Sequence, residues 1–246
     1  MTILVTGGTG TLGRPTVQRL RAAGHDVRIL SRTPGPDRMT GDVTTGAGLA
    51  EAMHGIDTLV HLATSAGTKD VAQTRTVVDA ARAAGITHLV FISIVGVDAI
   101  PYPYYRAKYE SEQLIERSGI PYTILRATQF QESMLAVVKG LASLVIVPAP
   151  TGSRFQPIAT DEVADRLVEL ARGEPAGLVP EMGGPKTYLL ADLVRSYLAA
   201  TGRHKPFISM GAPGKAAAAL RDGANLTPDH AVGRRTWEEF LAREVG

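Results

Sequence analysis

The sequence predicts an α/β protein built on a doubly wound parallel sheet with helices on both faces and a small carboxyl-terminal portion. Three observations carry that expectation. The apolar runs of the first half are short and nearly continuous rather than alternating, as in strands buried on both faces. Segments of helical periodicity separate them. A glycine-rich turn joins the first apolar run to the first helical segment.

The elements follow in order. Ile3 to Thr6, Val27 to Ser31, Thr58 to Ala63, His88 to Ser93 and Tyr122 to Arg126 read as strands. In the first helix Pro15 sits in the opening turn, Val17 and Leu20 share a face, and Gly24 ends it. Val71 to Ala84 and Tyr105 to Ser118 read as helices closed by Gly85 and Gly119. Beyond Arg126 proline and glycine become frequent, and helices are expected at Asp161 to Arg172, Leu190 to Thr201 and Arg235 to Arg243. Residues 1–130 are therefore expected to form the nucleotide-binding core, with 131–246 a substrate-binding portion packed on the same domain rather than an independent one.

Composition narrows the classes of function. The 26 basic and 24 acidic residues leave a net charge of +2 and are scattered, so no nucleic-acid partner is expected. With no cysteine, disulfides, thiolate metal sites and cysteine nucleophiles are excluded. The six histidines show no metal-ligand spacing, so no metal is expected. No apolar run approaches the ~20 residues that span a bilayer, so a cytoplasmic protein without a membrane partner is expected, as a monomer or homodimer.

Gly7, Gly10 and Gly13 fit G-x-x-G-x-x-G directly after the first strand. Glycine there permits a tight turn, close approach to a pyrophosphate, and tight packing of helix on strand. The helix amino terminus offers N–H groups and partial positive charge to the phosphates. The turn Gly7, Gly8, Thr9, Gly10, Thr11, Leu12, Gly13 is thus the expected dinucleotide cradle of a Rossmann fold. At the end of the second strand an NAD site carries an acidic residue for the ribose hydroxyls, but this chain has Ser31 and Arg32. A guanidinium and a hydroxyl suit a 2′-phosphate, so NADP(H) is expected in preference to NAD(H). Arg28 is a second candidate phosphate contact, at mid-strand.

Further motifs occur in order: Gly41-Asp42, His61-Leu62-Ala63, Ser93 closing a strand, Tyr104-x-x-x-Lys108-x-x-x-Glu112, and Thr123-Ile124-Leu125-Arg126. With the glycine turn, this series resembles the NmrA-like NAD(P)-binding proteins, an atypical branch of the short-chain dehydrogenase/reductase superfamily. The resemblance covers nearly the whole chain and is strongest through Phe130. It implies that Tyr104 exchanges a proton with the substrate oxygen, that Lys108 holds the nicotinamide ribose, and that Ser93 hydrogen-bonds the substrate oxygen. The four-residue spacing places Lys108 on the same helical face as Tyr104, where an ammonium favours the phenolate. Tyr105, three residues before Lys108, is an alternative partner. The interval from Ser93 to Tyr104 is about half that of well-characterised dehydrogenases of the superfamily. Asp42 and Val43 are expected to flank the adenine, and Leu62, Ala63 and Thr64 the riboses. Ala127, Thr128, Gln129 and Phe130 are expected to meet the nicotinamide. Glu112 is expected in a salt bridge or surface contact, and Asp161 as a helix cap or interdomain hydrogen bond.

The function expected is an NADP(H)-dependent oxidoreductase acting on a small, largely hydrophobic carbonyl, quinone or enone. The expected pocket, from Ser93 to Tyr105, Phe130 to Leu135 and around Ala149 to Phe155, is largely apolar, with Arg154 its nearby cation. A non-catalytic NADP(H) sensor is the alternative, and a nucleotide-sugar epimerase-like enzyme the third reading.

Overall fold

The computed structural model describes residues 1–245. In chain order the elements are β1 (Thr2–Thr6), α1 (Gly13–Ala22), β2 (Asp26–Ser31), β3 (Arg38–Thr40), α2 (Leu49–Met53), β4 (Thr58–His61) and α3 (Lys69–Ala83). Then come β5 (His88–Ile94), α4 (Pro103–Glu116), β6 (Tyr122–Ala127), α5 (Gln131–Ser143), β7 (Val147–Pro150) and β8 (Arg154–Phe155). The last are α6 (Thr160–Arg172), β9 (Gly177–Leu178), β10 (Tyr188–Leu189), α7 (Leu190–Ala200), β11 (Phe207–Met210), α8 (Lys215–Asp222) and α9 (Trp237–Glu244).

The chain forms two compact units that interleave in sequence. The first comprises Met1–Ser93, Pro103–Arg126 and Asp161–Pro180. It holds a seven-stranded parallel sheet in the order β3-β2-β1-β4-β5-β6-β9. Strand order reverses between β1 and β4, and in open α/β sheets ligands bind in the crevice at such a point. The sheet is buried on both faces as the continuous apolar runs predict: Ile3, Leu4 and Val5 of β1 are 0% exposed. One core cluster joins Leu4, Leu59 and Leu89 of three adjacent strands to Leu49 and Met53 of α2, Val77 and Ala81 of α3, and Ile115 of α4. Helix α6 belongs to this unit although it lies far along the chain. Val163, Ala164, Leu167, Val168, Leu170 and Ala171 form its buried stripe at helical spacing. On its outer side Asp161 and Asp165 both pair with Arg19 of α1. Asp161, expected as a helix cap or interdomain hydrogen bond, lies in the first turn of α6 and forms an ion pair with Arg19.

The second unit comprises Ile94–Tyr102, Ala127–Thr160 and Glu181–Gly246. Its apolar cluster gathers Met134, Leu135 and Val138 of α5, Leu193, Val194 and Tyr197 of α7, and Trp237, Phe240 and Leu241 of α9. Trp237 is 0% exposed, and its indole N–H donates to the Leu193 carbonyl at 3.2 Å. Helix α9 opens on a capping box between Thr236 and Glu239, where each side chain satisfies a backbone N–H of the other. Two short sheets complete the unit, β7 with β11 in parallel and β8 with β10 antiparallel. Among the described residues no helix is long and apolar enough to cross a membrane.

Candidate functional site

The glycine turn closes as the sequence predicts. Gly7 adopts φ +71, and a Cβ there would lie 2.7 Å from the Ala63 amide nitrogen. A Cβ on Gly13 would sit 2.1 Å from the Gly7 carbonyl oxygen, so no larger residue fits either place. The Gly10 N–H donates to the Gly7 carbonyl at 3.0 Å, and Arg14 braces the turn through the Thr9 carbonyl at 2.9 Å. Gly10 and Thr11 are exposed at its tip, whereas Leu12 points its side chain into the core and offers a ligand only backbone. Immediately beyond, α1 begins at Gly13, with the Arg14 N–H on the Gly10 carbonyl at 3.1 Å and the Thr16 N–H on the Leu12 carbonyl at 3.2 Å.

At the end of β2 the paired expectation divides. The Ser31 hydroxyl donates to the Thr33 carbonyl at 3.0 Å and accepts the Thr33 N–H at 3.1 Å, which shapes the loop. Arg32 is exposed and makes no ion pair among the described residues. Arg28 is committed elsewhere, donating to the His54 carbonyl at 2.6 Å. The Asp42 carboxylate accepts the Thr44 N–H at 2.8 Å within its own turn, and Val43 packs against the core.

Tyr104 and Lys108 both rise from the first turns of α4, but their nearest connection runs through another element. Lys108 is 3% exposed. Its ammonium lies 3.3 Å from the Ile92 carbonyl oxygen, 4.7 Å from the centroid of the Phe91 ring, and 4.0 Å from Asp70 Oδ2. Burial pulls the Lys108 ammonium down to about 8, and the charges of Asp70 and Glu112 oppose that fall. Asp70 sits in the first turn of α3, itself 3% exposed. One oxygen accepts the Thr64 hydroxyl at 2.5 Å; the other accepts the Ser65 N–H at 2.7 Å and the Ser65 hydroxyl at 2.5 Å. Thr64 also stands beside the Tyr104 phenol. Burial holds that phenol above its ordinary value, and the Thr64 contact partly offsets the rise. Tyr105 stands edge-on to Tyr104, with ring centroids 6.3 Å apart.

Ser93 follows Ile92 at the end of β5, is 2% exposed, and its hydroxyl makes no hydrogen bond among the described residues. A buried polar atom without a partner costs free energy unless a ligand supplies one. One turn beyond Lys108, Glu112 is 2% exposed and takes both Arg126 Nε at 3.0 Å and Nη2 at 2.7 Å. The expected salt bridge therefore forms, buried between α4 and β6 rather than on the surface.

His61 closes β4 and stands buried in a hydrogen-bond chain. The Ala63 N–H donates to Thr6 Oγ1 at 3.4 Å, and Thr6 Oγ1 lies 2.7 Å from His61 Nδ1. His61 Nε2 lies 3.4 Å from Thr74 Oγ1, which donates to Ser111 Oγ at 3.2 Å. Ser111 donates to the Ala107 carbonyl at 2.8 Å. Thr74 gives its one proton to Ser111, so it accepts from His61 and a ring proton sits on Nε2. Burial and the Lys108 charge push His61 down to about 3, against a smaller opposing effect of Asp70. The ring stacks on Phe91 at 5.5 Å.

In the second unit Ala127 and Thr128 are buried. The Thr128 hydroxyl donates to the Gln156 carbonyl at 2.5 Å and accepts the Gly184 N–H at 3.3 Å, so it is committed to the framework. Gln129 spans the Gln156 N–H and the Asn225 carbonyl, and Phe130 precedes α5. Arg154 donates to the Arg221 carbonyl at 3.1 Å.

Sequence reasoning missed Asp70. The Asp70 signal was present as a lone acidic residue in the first turn of the helix after β4, behind a loop rich in Thr, Ser and Gly. Its burial was not readable from one sequence.

Comparison with known proteins identifies the chain as NAD(P)H-binding. The profile of the NAD(P)H-binding family matches residues 7–173, and the chain belongs to that family, in its NmrA-like, atypical short-chain dehydrogenase/reductase branch. The chain is 31% identical over 223 residues to (4-alkanoyl-5-oxo-2,5-dihydrofuran-3-yl)methyl phosphate reductase of Streptomyces griseus, covering 85% of this chain and 77% of that protein. It is 25% identical over 249 residues to quinone oxidoreductase 2 of Escherichia coli, covering 94% and 87%. The fold superposes on the NADPH complex of an Escherichia coli NADPH-dependent quinone oxidoreductase with a TM-score of 0.85, at 19% identity over 99% of this chain and 100% of that one.

Proposed function

We propose that the protein is an NADP(H)-dependent reductase of a small, largely hydrophobic carbonyl, quinone or enone. The observation that carries this reading is Tyr104, a phenol kept protonated by burial on the same helix as a buried ammonium, Lys108. A phenol held in its acid form suits the reductive direction, in which a proton must be given to the substrate oxygen.

The residues fit the dinucleotide. The tight turn that Gly7 and Gly13 allow leaves Gly10 and Thr11 exposed at its tip, so Thr9 to Gly13 present backbone to a pyrophosphate, and the exposed Arg32 suits a 2′-phosphate. Bound there, the nicotinamide supplies the hydride. Lys108 holds the adjoining ribose, and Ser93 gives its unpartnered hydroxyl to the substrate oxygen. Tyr104 donates the proton to that oxygen. Leu62, Ala63 and Thr64 would hold the riboses, and Asp42 and Val43 the adenine. The two named reductases among the relatives support the chemistry.

The test is NADPH oxidation with a naphthoquinone as probe. Tyr104→Phe should lower turnover by roughly 10²–10⁴-fold while calorimetry shows cofactor affinity retained. Full activity in Tyr104→Phe would remove Tyr104 from the chemistry. No turnover by the unmodified protein, with unequal affinity for oxidised and reduced cofactor, would assign a sensing role instead.

A further inference from the structure

Between Tyr104 and Lys108 stands a carboxylate that the tyrosine–lysine spacing does not anticipate. Asp70 comes from α3, not α4, and is as deeply buried as the ammonium it faces. A buried carboxylate is retained only if paired and hydrogen-bonded. Asp70 meets both conditions, with three short hydrogen bonds from Thr64 and Ser65 and Lys108 Nζ at 4.0 Å.

The second acid near Lys108, Glu112, has both oxygens engaged by Arg126. His61 is kept neutral by its burial. Asp70 is therefore the one carboxylate near Lys108 whose cationic partner is Lys108 itself. The same oxygen, Oδ2, also fixes the Thr64 hydroxyl. Thr64 donates its single proton to Asp70 and accepts the Ala66 N–H at 2.9 Å, and it stands beside the Tyr104 phenol.

We propose that Asp70 is a positioning residue of the site, a buried carboxylate whose Oδ2 faces both the Lys108 ammonium and the Thr64 hydroxyl, and that through Thr64 it positions the Tyr104 phenol. The inference rests on the roles proposed above for Tyr104 and Lys108. Asp70 keeps Lys108 charged despite its burial and fixes the Thr64 hydroxyl beside the phenol. No group other than Tyr104 need give up a proton in the reaction.

The test uses the full chain carrying 13Cε-labelled lysine, with the Lys108 resonance identified as the one missing in Lys108→Met. In the unmodified protein its midpoint should lie near about 8. Asp70→Asn should move that midpoint down by about one pH unit or more, a tenfold change in proton affinity. Thr64→Val should leave the midpoint in place and lower kcat with NADPH and naphthoquinone by about tenfold, with KM little changed. Thr64→Ser should restore turnover.

An unmoved Lys108 midpoint in Asp70→Asn, or unchanged kcat in Thr64→Val, overturns the proposal. Should Asp70→Asn fail to fold, the Thr64 pair decides. Should no quinone be reduced by the unmodified protein, the proposed function fails while the lysine titration still judges Asp70.

Discussion

Arg32 follows Ser31 at the carboxyl end of β2, and the structure treats the two residues differently. The serine is consumed by its own turn, while the guanidinium is left in solvent without an ionic partner among the described residues. The proposed preference for a 2′-phosphate therefore rests on Arg32 alone. A charge-assisted hydrogen bond contributes about 1.5–3 kcal/mol. Arg32→Ala should then weaken NADPH binding by roughly 10–100-fold and leave NADH nearly unaffected, as calorimetry with both cofactors would show. Equal losses for the two would mean that the arginine meets a phosphate common to both.

At the scale of elements, the chain from Ala63 to Ala107 ties β1, β4, α3 and α4 together through one neutral imidazole. That imposes a cost in acid. The folded protein keeps His61 unprotonated down to about 3, whereas the unfolded chain takes up a proton near 6.5. Between those values the unfolded state binds more protons, so stability should fall as pH drops from 6.5 toward 3. His61→Gln cannot titrate and should be less stable at neutral pH yet show a shallower acid slope. Urea unfolding measured from pH 7 to pH 4 gives both numbers, and parallel slopes would show that another group governs the acid limit.

The elements were legible in the sequence where one physical signal dominated. Strands buried on both faces read as continuous apolar runs, and helices ending at Gly24, Gly85 and Gly119 announced their stops. Helices α5 and α8 were not read. Helix α5 carries Gly140 and runs into an apolar stretch, while α8 is built on Ala216 to Ala219 with no buried side chain to give it a face. The glycine turn, Tyr104, Lys108 and Ser93 were legible because their spacing is local. Asp70 was not, because a carboxylate's burial against a lysine 38 positions later in the chain is set by helix packing that no local pattern records.

In the whole molecule, each unit has its own apolar cluster. The second turns on Trp237, wholly buried, with the Phe240 ring 5.5 Å away. Trp237→Ala removes that packing and leaves the Leu193 carbonyl without its indole donor. A loss of about 3–5 kcal/mol is expected, read as a lower urea midpoint. A change below about 1 kcal/mol would show that the cluster is not what holds α7 and α9 together.

The residues Asp161–Pro180 have a consequence for the order of events at the ribosome. They bring α6 and β9 to a unit whose other parts end at Arg126. Domains tend to fold as their chains emerge. Here the β6 edge stays unpaired until Gly177 and Leu178 are made, and Arg19 waits for Asp161 and Asp165. The nascent first unit thus carries an open strand edge, a template for wrong pairing, through the synthesis of some fifty intervening residues. Its exposure to chaperones is set by translation speed as much as by stability.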